Sequence, residues 1–379
     1  MTAGLAHALH DGFTSSIYML LPLWQAQYGL GFSSLAFLRA TYVGVLATLQ
    51  IPAARLSRRV GIPVILSAGT LMSALGFAFA GAAFGLPVLL LSLAVAGAGS
   101  STQHPLASAA VTQAYRQSSR GPLGTYNFAG DIGKAVFPTA LGVLLASLGT
   151  SHAFLAVAAF GAVVALLILR LMPKAVEEPP SQVPKESAVA QPAEEKNETG
   201  FRLLLLIGVL DSAVGVGLKL FLPVLITAKG GSAASLGLAL SLVFLGGAFG
   251  KAACGRLAQR IGLVNTVIIT EVGTSASIIA FIALPLSPAL VLLPILGIML
   301  NGTSSVLYGT IPELSGFNRT EDAFAIFYTF TASSSALAPL LYGLIGDKAG
   351  PDLASSVAAA TALLIVPIML LLSPRLSRN

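Results

Sequence analysis

Seven ionisable residues, Asp11, Arg39, Asp131, Lys134, Asp211, Lys219 and Glu271, interrupt long stretches of apolar sequence. An ionised side chain near the centre of a bilayer costs roughly 2.5–3.5 kcal/mol on insertion scales, so each of them needs a wet cavity or a partner of opposite charge. Asp131 and Lys134 are three residues apart and share one face of a helix, close enough to pair. Such a pair can open when a solute group or a proton replaces one partner, or it can be a static tie between the first and fifth helices. Asp11 and Asp211 each lie about ten residues into an apolar run. A carboxylate beside a cavity can load and release protons, and the alternative is a permanent hydrogen bond to a neighbouring helix. Imidazole as a group titrates near neutral pH, which makes His104 a coupling candidate, and His104 precedes Pro105, whose ring frees the carbonyl of Ser101. Gln103, His104 and that carbonyl would form a polar ledge. Lys219 and Arg39 would bind an anionic solute or neutralise Asp211 and Asp11. Tyr18, Tyr126 and Asn127 are expected to line the same space. His10 is expected at the mouth of the first helix, and Glu271 to cap or snorkel on an outer helix.

The elements that position these groups follow from composition. The chain has 379 residues, 55% hydrophobic and 9% charged, against about 25% charged in a soluble domain. Apolar runs of about 20 residues match a hydrocarbon layer roughly 30 Å thick. Lipid offers no partners for amides, so the runs must be helices. The expected fold is an all-α membrane protein of twelve transmembrane helices in two pseudo-symmetric six-helix bundles. The spans are placed at 4–28, 34–56, 62–84, 86–112, 120–148, 152–172, 202–227, 233–257, 262–284, 287–310, 321–347 and 352–373.

Residues 174–200 are rich in Pro, Glu, Ser and Lys and bury too little surface to fold. They read as a flexible linker between an N-terminal bundle, 1–173, and a C-terminal bundle, 201–379. Sixteen basic residues (Arg55, Arg58, Arg59, Arg116, Arg120, Arg170, Lys174, Lys185, Lys196, Arg202, Lys251, Arg256, Arg260, Arg319, Arg375 and Arg378) fall on one side of the spans, and only Lys229 and Lys348 on the other. The positive-inside rule then puts both termini and the linker in the cytoplasm of a cell with a bacterial-type inner membrane. The first run lacks a basic leader and contains His10 and Asp11, unlike a cleaved signal peptide.

The two halves repeat at a step of 201 residues, the distance from Gly29 to Gly230. Pro22 meets Pro223, Ser34–Leu35 meets Ser235–Leu236, and Arg59 and Gly61 meet Arg260 and Gly262. Pro138, Gly142 and Gly149 meet Pro339, Gly343 and Gly350, while Asp11 and Asp211 correspond one residue out of register. Two parallel six-helix repeats with a solute site at mid-depth are an architecture of secondary transporters.

At this point the sequence resembles the major facilitator superfamily along essentially its whole length outside the linker. The family's most specific loop, Gly-x-x-x-Asp-Arg-x-Gly, is echoed by Gly255-Arg256-Leu257-Ala258-Gln259-Arg260-Ile261-Gly262 and by Ala54-Arg55-Leu56-Ser57-Arg58-Arg59-Val60-Gly61. The acid is replaced by Gln259 and Arg58, which puts its gating contact in doubt. The resemblance marks Arg55, Arg58, Arg59, Gly61, Gly255, Arg260 and Gly262 as gating-loop residues. It also implies that helices 1, 4, 7 and 10 line the cavity, 2, 5, 8 and 11 flank it, and 3, 6, 9 and 12 lie outside. Within the family, Gly99-Ser100-Ser101-Thr102-Gln103-His104-Pro105 and the His/Asp-bearing first helix look like the fosmidomycin-resistance type of exporter. The glycine-proline signature of antiporters is only partly matched, with Phe137 in place of a Gly.

Other classes are excluded or remote. The net charge of +6 comes from short clusters between apolar runs and not from a nucleic-acid-binding domain. Cys254 is the only cysteine, so no disulfide framework or structural zinc spacing exists, and neither metal nor cofactor is expected. A primary pump would need a phosphate loop, and an intramembrane aspartyl protease would need a second motif beside Gly130-Asp131. The expectation is a monomeric secondary carrier, not an enzyme, whose partners are a small organic solute, protons and the lipid bilayer. Proton-coupled export is the leading reading, with proton-coupled uptake of an organic anion as the alternative and a non-transporting sensor behind both.

Overall fold

The computed structural model of the protein describes residues 1–82, 84–115, 120–173, 198–314 and 320–376, and its regular structure over those residues is helical. In chain order the first half holds α1 (Thr2–Tyr28), α2 (Phe32–Val60), α3 (Ile62–Ala80), α4 (Leu86–Ser100), α5 (Gln103–Tyr115), α6 (Arg120–Leu148) and α7 (Thr150–Leu171). The second holds α8 (Glu198–Ala228), α9 (Ala233–Ile261), α10 (Leu263–Ala283), α11 (Leu286–Leu314) and α12 (Thr320–Leu372). α4 and α5 form one span, bent at Ser101–Thr102, just before Pro105 removes a backbone donor. α12 contains two spans that part at Gly350, where φ is 86°. The twelve expected spans are therefore present, six in each half. The seventh begins at Glu198, four residues earlier than expected. Residues 174–197 of the expected linker, and Arg116, Arg319 and Arg378 of the orientation set, lie outside the described residues.

Ten of the described helices are long and apolar enough to cross a membrane, and α1 is not among them. Its inner turns carry His7, His10, Asp11, Ser15 and Ser16, all buried. A helix that forgoes lipid-compatible side chains in this way belongs inside the bundle, beside partners for those groups. Large apolar residues face outward instead on α3, as Leu71, Leu75 and Phe79, and on α7, as Phe160, Val163 and Leu166.

The repeat is visible in the backbone. Gly29 and Gly230 have φ of 62° and 81°, Gly61 and Gly262 of 99° and 85°, and Gly149 and Gly350 of 75° and 86°. Side-chain-bearing residues adopt such angles at a cost, so both halves turn at the same three places.

The halves meet mainly where α6 packs on α9 and α2 on α12, and small residues set both crossings. A Cβ at Gly142 would lie 2.5 Å from the carbonyl oxygen of Ala233, and one at Gly343 would lie 2.8 Å from Cα of Ser33. These are equivalent contacts under the 201-residue step. Both lie near the Gly29 and Gly230 turns, on the face opposite the arginine-bearing Gly61 and Gly262 turns. At that same face the carboxylate of Asp347 in α12 accepts the N–H of Phe32, and the N–H of Ser33 at 3.1 Å, at the start of α2. The halves are thus closed together away from the basic loops.

Candidate functional site

A chain of alternating charges crosses the middle of the molecule. Asp11 on α1 lies 2.8 Å from Nζ of Lys134 on α6, 3.1 Å from Nε2 of His7 one turn earlier, and 3.7 Å from Nε2 of His104 on α5. Lys134 also reaches Asp131 at 3.4 Å. Asp131 in turn receives Lys251 of α9, in the other half, at 3.0 and 3.2 Å. Two carboxylates and two lysines therefore alternate from α9 through α6 to α1, which offsets the cost of placing each charge at this depth.

Glycine allows the close packing that brings these groups together. A Cβ on Gly133 would lie 2.0 Å from the carbonyl oxygen of Ala8, and one on Gly130 would lie 2.6 Å from both Oδ2 of Asp11 and Nε2 of His7. Tyr126 forms the floor: its ring stacks on His7 with centroids 4.2 Å apart, its carbonyl accepts His7 Nδ1–H at 2.9 Å, and its hydroxyl meets Gln103 at 3.1 Å.

Arg39 does not neutralise Asp11. Its guanidinium lies 4.9 Å over the ring of Tyr18 and donates to the backbone carbonyl of Ser335, at 3.2 Å, in the second half. The hydrogen bond ties α2 to α12 across the halves, and the cation–π contact ties α2 to α1.

The second half contributes a cavity of about 360 Å³ between α8, α11 and α12. Asp211, Ser212 and Lys219 line it from α8, Asn301, Ser304 and Tyr308 from α11, and Tyr328 and Ser335 from α12. Among the described residues neither Asp211 nor Lys219 makes an ion pair or side-chain hydrogen bond, although Lys219 lies 5.9 Å over the ring of Phe244. They are eight residues apart on one helix, about 12 Å along its axis. The space thus offers a negative and a positive group at separate positions, with hydroxyls and aromatic rings between them.

The expectations for His10, the polar ledge and Glu271 change. His10 is not at a mouth: it is buried, with Nδ1 3.1 Å from Ser100 and Nε2 3.0 Å from Thr70. The polar ledge does not form, because Gln103 is fully buried against Tyr126 while His104 is half exposed and turns to Asp11. Asn127 is exposed and makes no hydrogen bond with a described residue. Glu271 on α10 neither caps nor snorkels: it is buried and accepts a 2.6 Å hydrogen bond from Thr303 of α11. Arg55, Arg58, Arg59 and Arg260 of the gating loops are exposed and make no ion pair with a described residue, and Gly255 has open space where a Cβ would stand. The sequence reading missed His7 and assigned Lys251 to the loop charges. The i,i+4 spacing of His7 and Asp11 was the signal available for the first. For Lys251 it was a position ten residues before the end of α9.

A family model described as Major Facilitator Superfamily matches the chain twice, over residues 3–218 and 203–379. No curated protein sequence matches it. Among solved structures, a bacterial homologue of the human lysosomal transporter Spinster in an inward-facing, unoccupied conformation is similar. The TM-score is 0.80 at 16% identity, over 99% of this chain and 96% of that one. The same homologue in an inward-facing, occupied conformation has a TM-score of 0.77 at 17% identity, over 98% and 96%. A POT family transporter in complex with 5-aminolevulinic acid has a TM-score of 0.76 at 14% identity, over 100% and 96%.

Proposed function

The chain belongs to the major facilitator superfamily, a family of solute transporters that work by alternating access, and from that premise we propose that this member is a proton-coupled exporter of a small organic solute. The observation that carries the reading is Asp131, held by Lys134 of its own half and by Lys251 of the other. The halves can rock apart along α6 and α9 only if the Asp131–Lys251 contact opens. A proton on Asp131 removes its charge and releases Lys251; loss of the proton restores the tie. A ligand shifts such an equilibrium by its differential affinity for the two states, and here the proton binds better where the tie is broken.

The solute site is the second-half cavity. Its volume of about 360 Å³ falls within the roughly 300–1,000 Å³ of small-molecule sites, and Asp211 and Lys219 supply charged groups of both signs. The narrower placement with fosmidomycin-resistance exporters rests on residues 99–105 and the His/Asp-bearing α1. The remaining assignments go with it: bundles 1–173 and 201–379 joined by 174–200, a monomer in the inner membrane with both termini cytoplasmic, and an opening on the side of the basic loops. Gly61, Gly262 and the arginines beside them belong to the turns that move.

The test is a solute screen in proteoliposomes with an imposed pH gradient. Wild type should accumulate solute against its gradient. Asp131→Asn, which keeps the side-chain shape but cannot lose a proton, should only equilibrate it. Accumulation by Asp131→Asn equal to wild type would overturn the coupling assignment.

A further inference from the structure

His7, Asp11 and His104 do more than neutralise one another. One ring nitrogen of each imidazole and a carboxylate oxygen of Asp11 all lie within 4.8 Å of one another, and it is Nε2 of each ring that faces Asp11. His7 Nδ1 faces the carbonyl of Tyr126 at 2.9 Å. A carbonyl only accepts, so Nδ1 carries a hydrogen, and in the neutral ring Nε2 presents its lone pair. That lone pair meets Oδ2 of Asp11 at 3.1 Å. Oδ2 is itself a buried acceptor with no hydrogen bond of acceptable geometry, Lys134 Nζ lying 2.8 Å away but out of line. The contact needs a positive centre, which a proton on His7, the Lys134 ammonium at 2.8 Å or a metal ion would each supply. A backbone carbonyl that orients a histidine so that its other nitrogen points into a cluster is also the usual outer-shell support of a metal ligand.

The geometry points to a site for one divalent transition-metal ion, of the zinc or cobalt class, ligated by Nε2 of His7, Nε2 of His104 and the carboxylate of Asp11. Bonds of about 2.0–2.1 Å in a tetrahedron separate ligand atoms by about 3.3 Å; His7 Nε2 lies 3.1 Å from Oδ2 and His104 Nε2 lies 3.7 Å from Oδ1 of the same carboxylate, so the ion would draw one oxygen toward both imidazoles. Two imidazole nitrogens and one carboxylate oxygen suit zinc or cobalt, whereas calcium and magnesium prefer oxygen alone. His7 and Asp11 are buried while the His104 side chain is 48% exposed, so the ion enters past His104 and keeps a fourth position for water. Gly130 leaves the space, since a Cβ there would stand 2.6 Å from both His7 Nε2 and Asp11 Oδ2. Lys134 is the competitor. Its ammonium sits beside Oδ2 and has Asp131 within 3.4 Å as an alternative partner. Metal binding moves it there.

This inference does not depend on transport, because binding is read on the purified protein. Full-length protein, tag removed and stripped with chelator, is titrated with Co²⁺ and then back-titrated with Zn²⁺, following visible d–d absorption and metal content. Wild type should take up one ion per chain with the intense bands of a four-coordinate site, bleached by Zn²⁺. Asp11→Asn and His104→Asn each remove a ligand and should weaken binding by more than the about 10–100-fold that loss of an outer-shell partner costs. Lys134→Met should tighten binding, a change that neither misfolding nor a merely structural ion pair produces. No saturable cobalt spectrum in wild type, stoichiometric binding that survives His104→Asn, or weaker binding in Lys134→Met would each overturn it.

Discussion

Asp347 holds the halves together at the face away from the basic loops. The helix α2 starts after Gly31, which has no side chain to cap it, and both oxygens of Asp347 take the free N–H groups of Phe32 and Ser33. In the second half the equivalent helix α9 is capped by its own Ser232, which accepts from Ser235 N–H at 3.2 Å. Removing an N-cap costs about 0.5–2 kcal/mol, and a negative charge at a helix N-terminus is worth about 0.3–1 kcal/mol. These two figures overlap, and the contact is exposed, so about 1 kcal/mol is the reasonable sum. Because the carboxylate and the helix end belong to different halves, that energy is present only when this face is closed. Asp347→Ala should therefore move the closed-to-open equilibrium by about fivefold. Spin labels at Gln27 and Lys348, in a Cys254→Ser background, report it as growth of a longer distance in pulsed EPR. Ser232→Ala is the control, since its cap lies within one helix and its loss leaves the distribution unchanged. An unaltered distribution in Asp347→Ala would refute the latch.

Other outcomes follow from packing and burial. Gly133→Ala should lower the thermal midpoint in detergent, because its Cβ meets the Ala8 backbone at 2.0 Å and overpacking costs about 1–3 kcal/mol. Gly44→Ala on α2 has nothing within 4 Å and should be neutral or stabilising by up to about 1 kcal/mol. Asp211→Asn and Lys219→Met should each weaken solute exchange in counterflow by about tenfold or more, with unchanged thermal stability in the absence of solute, since neither side chain has an ionic partner to lose; full exchange in both would move the solute site elsewhere. Thr303→Val leaves the buried Glu271 without its donor and should lower the thermal midpoint by an amount that corresponds to about 1–3 kcal/mol, with Glu271→Leu in the same background recovering part of it.

Much of the architecture was legible because lipid imposes strict requirements. Apolar runs of span length must be helices, and turn glycines repeated at one step had to mark equivalent turns. Pro105 was readable as a missing donor, while the bend that accompanies it emerged only in the structure. Which charges meet was not readable, because periodicity does not specify how a helix is rotated against its neighbours. Asp131 and Lys134 paired as their spacing implied, yet Lys134 also reached Asp11 on another helix. Lys251 looked like a loop charge because the basic side of the chain is rich in them, but it lies against Asp131. Glu271 looked outward because its helix is outer. Even an outer helix has one inward face, and Thr303 waits on it.

The proposed solute path runs between the halves and opens toward the basic loops, and accessibility tests it most directly. A single cysteine at Ala332, an exposed residue lining the second-half cavity, in the Cys254→Ser background, is treated with a membrane-impermeant thiol reagent from either side of oriented vesicles. The prediction is rapid labelling from the basic-loop side, while a cysteine at the outward Leu341 stays unlabelled. Equal protection of both positions from both sides would contradict it.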